Sequence, residues 1–319
     1  MIRIIEDKGK KNTFINSLLH RHSEPSREII EKVSTIINDV KKEGDKALKR
    51  YTKVFDLHNC PLVFDIPDKP AVKDRRIIQM IRLAIKRITR FHRRQMLSSW
   101  EIKERGIRLG QIIRPLDTVG VYVPGGKASY PSTVLMNIIP AQVAGVRDII
   151  VCIPTPRGEI NPVVILALQE LGIKRFYTVG GAQAVAAMAY GTKTIKRVDK
   201  IVGPGNIFVA TAKRLVFGVV DIDMIAGPSE IVIIADETSN PAFVAADLLS
   251  QAEHDEMASS ILLTDSRQLA EQVRSEISKQ IKNLEKSDIA KRSLSSYGGI
   301  IVVSDILEAI DIVNIIAPE

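Results

Sequence analysis

Hydrophobic positions divide the chain into two textures. In the first, residues 26–51 place Ile29, Val33, Ile36, Ile37 and Val40 at helical spacing, which predicts a helix with one buried face. Gly44 interrupts the pattern, and a second short helix is expected after it. Residues 52–70 carry Pro61, Pro67 and Pro70 and read as irregular. Over 71–97 a longer helix is predicted, with Ile77, Ile81, Ala84, Ile85, Ile88 and Phe91 as its apolar stripe and basic residues over most of the rest. Residues 1–15 are polar and short and read as an arm.

From about residue 111 short apolar runs alternate with helical patterns. Strands are predicted at 119–123, 149–153, 176–179, 200–202, 231–234, 261–263 and 300–303. Helices are predicted between them at 133–144, 161–171, 182–190, 207–216, 241–254, 267–284 and 306–315. The 241–254 helix has Asn240 as its N-cap and Pro241 at its first position. Strand and helix in alternation, joined by short turns, is the pattern of a parallel sheet covered on both faces, so the fold class is α/β.

Composition narrows this little. The 319 residues are enough for two domains, and 45% hydrophobic with 26% charged content is ordinary for a globular protein. No apolar run approaches the roughly 18–20 residues that span a bilayer, so no membrane partner is expected. The N-terminus has no apolar signal-peptide core. Cys60 and Cys152 form no metal or redox motif. Cys152 lies in D-I-I-V-C-I-P, a buried-strand pattern, which predicts a core thiol and a reducing, cytoplasmic setting. Charge changes the picture more. The net +8 is concentrated in residues 1–110, which hold 26 Lys and Arg against 14 Asp and Glu. The basic helix at 73–94 has the charge to lie along nucleic-acid phosphates. It has no interleaved aromatics and no nucleic-acid motif, so a solvated face is the favoured reading and nucleic acid is not an expected partner.

Candidate chemistry sits in the turns. Glycine-rich turns follow the strands at Val123-Pro124-Gly125-Gly126, Val179-Gly180-Gly181-Ala182-Gln183 and Val202-Gly203-Pro204-Gly205-Asn206. Such turns lie at the carboxyl ends of strands, where open α/β sheets bind ligands, and helix N-termini there favour phosphate. Ordinary βα turns also prefer glycine, and no G-x-G-x-x-G fingerprint is present. A further turn, A-G-P-S-E, carries Ser229 and Glu230. Gln251 and His254 lie three apart near the end of the next helix, on one side of it. An amide oxygen and an imidazole nitrogen can share a metal or a polar ligand, although residues so placed are more often plain surface.

Five motifs in order carry a family resemblance: P-L-D-T-V-G-V-Y-V-P-G-G-K-A-S-Y-P-S-T-V-L-M-N (115–137), V-G-G-A-Q-A (179–184), V-D-K-I-V-G-P-G-N (198–206), A-G-P-S-E (226–230) and D-L-L-S-Q-A-E-H (247–254). Together with the closing A-P-E (317–319) and F-H-R-R-Q (91–95), they resemble histidinol dehydrogenase. The resemblance implies two incomplete Rossmann-like parallel-sheet domains with an N-terminal helical region, as in the histidinol dehydrogenase / aldehyde dehydrogenase-like fold. The division it implies is an arm at 1–15, a discontinuous first domain from 16–121 and 227–319, and a second domain at 122–226. It implies a homodimer that oxidises L-histidinol through L-histidinal to L-histidine with Zn2+ and two NAD per turnover. By resemblance, Tyr122, Gln183 and Asn206 match NAD contacts, Ser229 a substrate contact, Gln251 and His254 zinc ligands that also meet substrate, and Glu319 the catalytic glutamate. The family's base histidine, two further zinc ligands and small C-terminal domain follow that glutamate, so a fragment of a longer enzyme is expected. The alternatives are a naturally short, non-catalytic protein that binds a nucleotide or partner, and a family relative that oxidises another small alcohol.

Overall fold

A computed structural model describes residues 2–19, 25–57, 59, 61–125, 131–225, 227 and 229–318. The chain begins with β1 (Arg3–Ile5), α1 (Lys8–Leu19), α2 (Arg27–Glu43), α3 (Asp45–Phe55), β2 (Val63–Asp65) and α4 (Arg75–Arg93). A hairpin follows, β3 (Trp100–Glu104) and β4 (Ile107–Gln111). Then come β5 (Thr118–Tyr122), α5 (Pro131–Ala144), β6 (Asp148–Cys152), α6 (Pro162–Glu170), β7 (Arg175–Tyr177) and α7 (Gly181–Tyr190). The chain continues through β8 (Lys200–Val202), α8 (Ile207–Val216), β9 (Asp221–Ile222), β10 (Glu230–Ile234) and α9 (Pro241–Ala252). It ends with β11 (Ser259–Thr264), α10 (Arg267–Gln280), α11 (Ser287–Ser296), β12 (Gly299–Val302) and α12 (Ile306–Ile316).

These elements form two compact units, residues 25–225 and residues 1–24 with 226–319. In the first, the strand order is β2-β7-β6-β5-β8-β9, parallel throughout except for β2. The order reverses at β5, with β6 on one side and β8 on the other, the switch point at which α/β sheets leave a crevice for ligands. Alternation along β5 sends Val119 and Val121 to one face, where Val134, Ile138 and Ile81 pack. Tyr122 goes to the other face, against a core that includes Val33, Ile37, Leu48 and Val185.

That second core corrects the expected division. The 121/122 boundary would cut β5 in two. Helices α2 and α3 bury Val33, Ile36, Ile37, Val40 and Leu48 in the same core as α7 and α8, so the N-terminal helical region belongs with the glycine-turn sheet.

In the other unit the order is β1-β12-β11-β10, all parallel. Leu262 faces Leu248 and Val273, while Ile261 and Leu263 face Phe14 and Ile312. The first residues are therefore no arm. Arg3–Ile5 pair with β12, and α1 buries Phe14, Ile15 and Leu18. The pairing is invisible to local periodicity because its partner strand lies at the far end of the sequence. The stretch read as irregular ends α3 at Phe55 and holds β2. Basic α4 lays Ile77, Ile81, Ala84, Ile85 and Ile88 against α5 and α6. Its Arg82 forks to Glu170 of α6 at 2.8 and 2.9 Å. Among the described residues no helix is long and apolar enough to cross a membrane.

Candidate functional site

In the 25–225 unit, the carboxyl ends of β5, β7 and β8 carry the three residues matched to NAD contacts. Tyr122 ends β5 and is buried, and its hydroxyl accepts a hydrogen bond from the Gly181 N–H at 3.2 Å. It braces the Gly180-Gly181 turn from below. Burial pushes its phenol up to about 12; the Gly181 N–H opposes that shift, and the nearby Asp56 charge adds to it. Gln183 lies in the first turn of α7, 1% exposed, and its Oε1 has no hydrogen-bond partner among the described residues. A buried carbonyl oxygen left unpaired is costly, and a ligand donor at this helix N-terminus would satisfy it. Asn206 is exposed and caps α8, its Oδ1 accepting from the Phe208 and Val209 N–H groups at 3.1 and 3.2 Å. That cap leaves its Nδ2 donors for a ligand.

The β8–α8 turn comes very close to β5. Gly203 has φ +114°, and a Cβ built there would lie 2.1 Å from the Tyr122 carbonyl oxygen. Only glycine fits.

Reading the sequence missed two sets of groups here. One is the Lys213–Asp223 pair beneath Gly203. A lysine in the apolar run of α8 was its only local signal. The other is Asp56, which is buried at the end of α3 and accepts from the Thr155 N–H at 3.3 Å, while the Arg157 N–H donates to its carbonyl at 2.7 Å. Burial raises its carboxyl above the ordinary range, and the Thr155 N–H acts the other way. The folded pKa therefore exceeds the unfolded one, so this group favours folding below the unfolded value and loses that contribution as pH rises through the folded value. Asp56→Asn keeps an acceptor for Thr155. The difference in Tm between the variant and its parent is expected to move in the variant's favour as pH rises from about 4. A difference independent of pH would contradict this.

In the other unit, the matched residues gather at the amino edge of the sheet. Ser229 is exposed just before β10, and its carbonyl accepts from the Ser259 N–H of β11 at 3.0 Å. Helix α9 runs back along the sheet, with Ser260 Oγ donating to its Leu248 carbonyl at 2.8 Å. Its end brings half-buried Gln251 and exposed His254 to the same edge. The helix stops at Ala252, and His254 sits in the following turn, its N–H bonded to the Gln251 carbonyl at 3.2 Å. Helix α12 also returns to this edge, ending at Ala317 with φ +46°. Glu319 lies outside the described residues.

Amide oxygen and imidazole nitrogen are donors of the type zinc takes. Among the described residues no group of three His, Cys, Asp or Glu converges. Gln251 and His254 bring two such donor types to one edge of the sheet. Cys152 is buried in β6 with its thiol pushed up to about 12 by desolvation, a core residue as its strand pattern predicts.

A sequence profile for histidinol dehydrogenase matches residues 19–319. Histidinol dehydrogenase of Lactococcus lactis subsp. lactis is 47% identical over 327 residues, covering all of this chain and 76% of that protein. That of Bacillus subtilis is 53% identical over 293 residues, covering 90% of this chain and 69% of the relative. The crystal structure of histidinol dehydrogenase from Elizabethkingia anophelis superposes with a TM-score of 0.92 at 38% identity, over all of this chain and 74% of that one. The ordered motifs, the two parallel sheets and these matches place the chain in the histidinol dehydrogenase family.

Proposed function

We propose that this chain belongs to an enzyme that performs the last two oxidations of histidine biosynthesis, taking L-histidinol through L-histidinal to L-histidine, as a cytoplasmic homodimer. The family match over residues 19–319 carries this reading. NAD, the hydride acceptor, is held at the switch point of the 25–225 unit. There the unpaired Gln183 Oε1 accepts from a cofactor donor, and the Asn206 Nδ2 donates to a cofactor oxygen. Tyr122 holds the Gly181 turn in place.

In the other unit, Gln251 and His254 hold zinc, and Ser229 hydrogen-bonds the substrate. When bound, zinc supplies a Lewis acid that fixes the substrate's imidazole and amine. Glu319 is the general base on water for the aldehyde step. NADH absorbance with L-histidinol, zinc and NAD tests the reading, with histidine quantified as product. Two NADH per histidine are expected, with no turnover of unrelated amino alcohols. No NADH from L-histidinol in the zinc-loaded protein would refute it.

A further inference from the structure

Asn206's turn is held from beneath by an ion pair between buried Lys213 and partly exposed Asp223. Both backbone groups of Gly203 are occupied by it: the N–H donates to Asp223 Oδ2 at 2.8 Å, and the carbonyl accepts from Lys213 Nζ at 3.0 Å. Lys213 and Asp223 also bond to each other, and the Met224 N–H donates to Asp223 Oδ1 at 2.7 Å. Lys213 is 2% exposed on α8, on a helix that buries Val209, Ala212 and Val216. Burying an ammonium carries a desolvation penalty of several kcal/mol. The helix itself does not need it, because Asn206 already caps α8. The pair instead fixes the two peptide groups that flank one residue, Gly203, whose positive φ lets β8 approach the Tyr122 carbonyl.

We infer that Lys213 and Asp223 are positioning residues for the dinucleotide. They lock Gly203 so that the turn after β8 presents Asn206 at a fixed place, and neither side chain touches the cofactor. This rests on the proposal that NAD binds at the β5–β8 switch point. A ligand-binding turn displaced by about 1 Å can lose up to a hundredfold in function, so a lock on its backbone has a measurable consequence.

The test is NAD affinity by calorimetry together with hydrogen exchange of the Gly203 amide. It uses the parent chain, Lys213→Met, Asp223→Ala, the double variant K213M/D223L, and Val216→Ala. Val216→Ala removes core packing from α8 without touching the turn. The double variant removes both charges at once and leaves no buried ammonium without its partner, so it keeps the fold where a single variant fails. Expected are a Kd for NAD weakened by about tenfold or more and faster Gly203 exchange in both single variants and the double variant. Val216→Ala should bind within about twofold of the parent at a comparable loss of Tm. A folded double variant that binds NAD as the parent does and protects Gly203 equally would overturn the inference, as would an equal loss in Val216→Ala. A parent chain that binds no NAD would instead overturn the functional reading. Gly203 exchange in the double variant would still decide whether the pair locks the turn.

Discussion

Gly203→Val should remove NAD binding and sharply destabilise the 25–225 unit. The residue has φ +114°, where side chains are strained by about 1–3 kcal/mol. Its first side-chain atom would press on the Tyr122 carbonyl oxygen at 2.1 Å, a backbone atom that cannot rotate away. Overpacking of this kind costs a further 1–3 kcal/mol or so. The sum, about 2–6 kcal/mol, corresponds to a fall in Tm of roughly 4–24 °C for a unit of this size. If the variant folds at all, β5 and β8 must separate at their carboxyl ends, which moves the Asn206 cap and Tyr122 apart. Thermal unfolding and NAD titration check this together. A parent-like Tm with parent-like affinity would show that the turn is not where the structure places it.

His254→Ala should leave the fold intact and remove turnover. His254 is exposed in the turn after α9, so its truncation exposes no core. In the proposed function its imidazole is a zinc donor together with Gln251, and the substitution takes that donor away. Loss of a Lewis acid worth several kcal/mol of transition-state stabilisation lowers kcat/KM by about a thousandfold or more. Zinc content by elemental analysis should fall with activity, while NAD affinity, assigned to the other unit in the proposed function, stays at the parent value. Full zinc occupancy with near-parent turnover would remove His254 from the metal site. If zinc stayed and activity fell, its role would be on the substrate.

These variants also mark how much could be read from the residues alone. The alternation of apolar runs gave the parallel sheets, because a strand buried on both faces leaves a continuous hydrophobic run. Asn240 before Pro241 announced the start of α9, and the structure has that cap, with Asn240 Oδ1 accepting from Ala242 N–H at 2.9 Å. Glycine turns were visible, but the reason for Gly203 was not, since Lys213 and Asp223 lie ten and twenty residues further on and meet it only in the folded unit. Asp56 was hidden in the same way, 99 residues from the Thr155 amide it accepts from. The β3–β4 hairpin went unread although W-E-I-K-E-R-G-I-R-L-G-Q alternates by twos around an Arg-Gly turn, with Gly106 at φ +77°. Its apolar positions, Trp100, Ile102, Ile107 and Leu109, are more than half exposed, so burial would not have marked it. The proposed site residues rest chiefly on family motifs, because a glutamine and a histidine three apart say little without them.

The pairing of β1 with β12 has a consequence for how the polypeptide is made. Residues 25–225 hold every strand of their own sheet, so that unit can assemble on the ribosome once its last helix and β9 have emerged. The other unit cannot close, because Arg3 has no partner until Gly299 is synthesised. At roughly 5–20 residues per second, several seconds separate the two events. Throughout that interval β1 waits without its partner strand. A strand is thus seated by one translated almost three hundred residues after it.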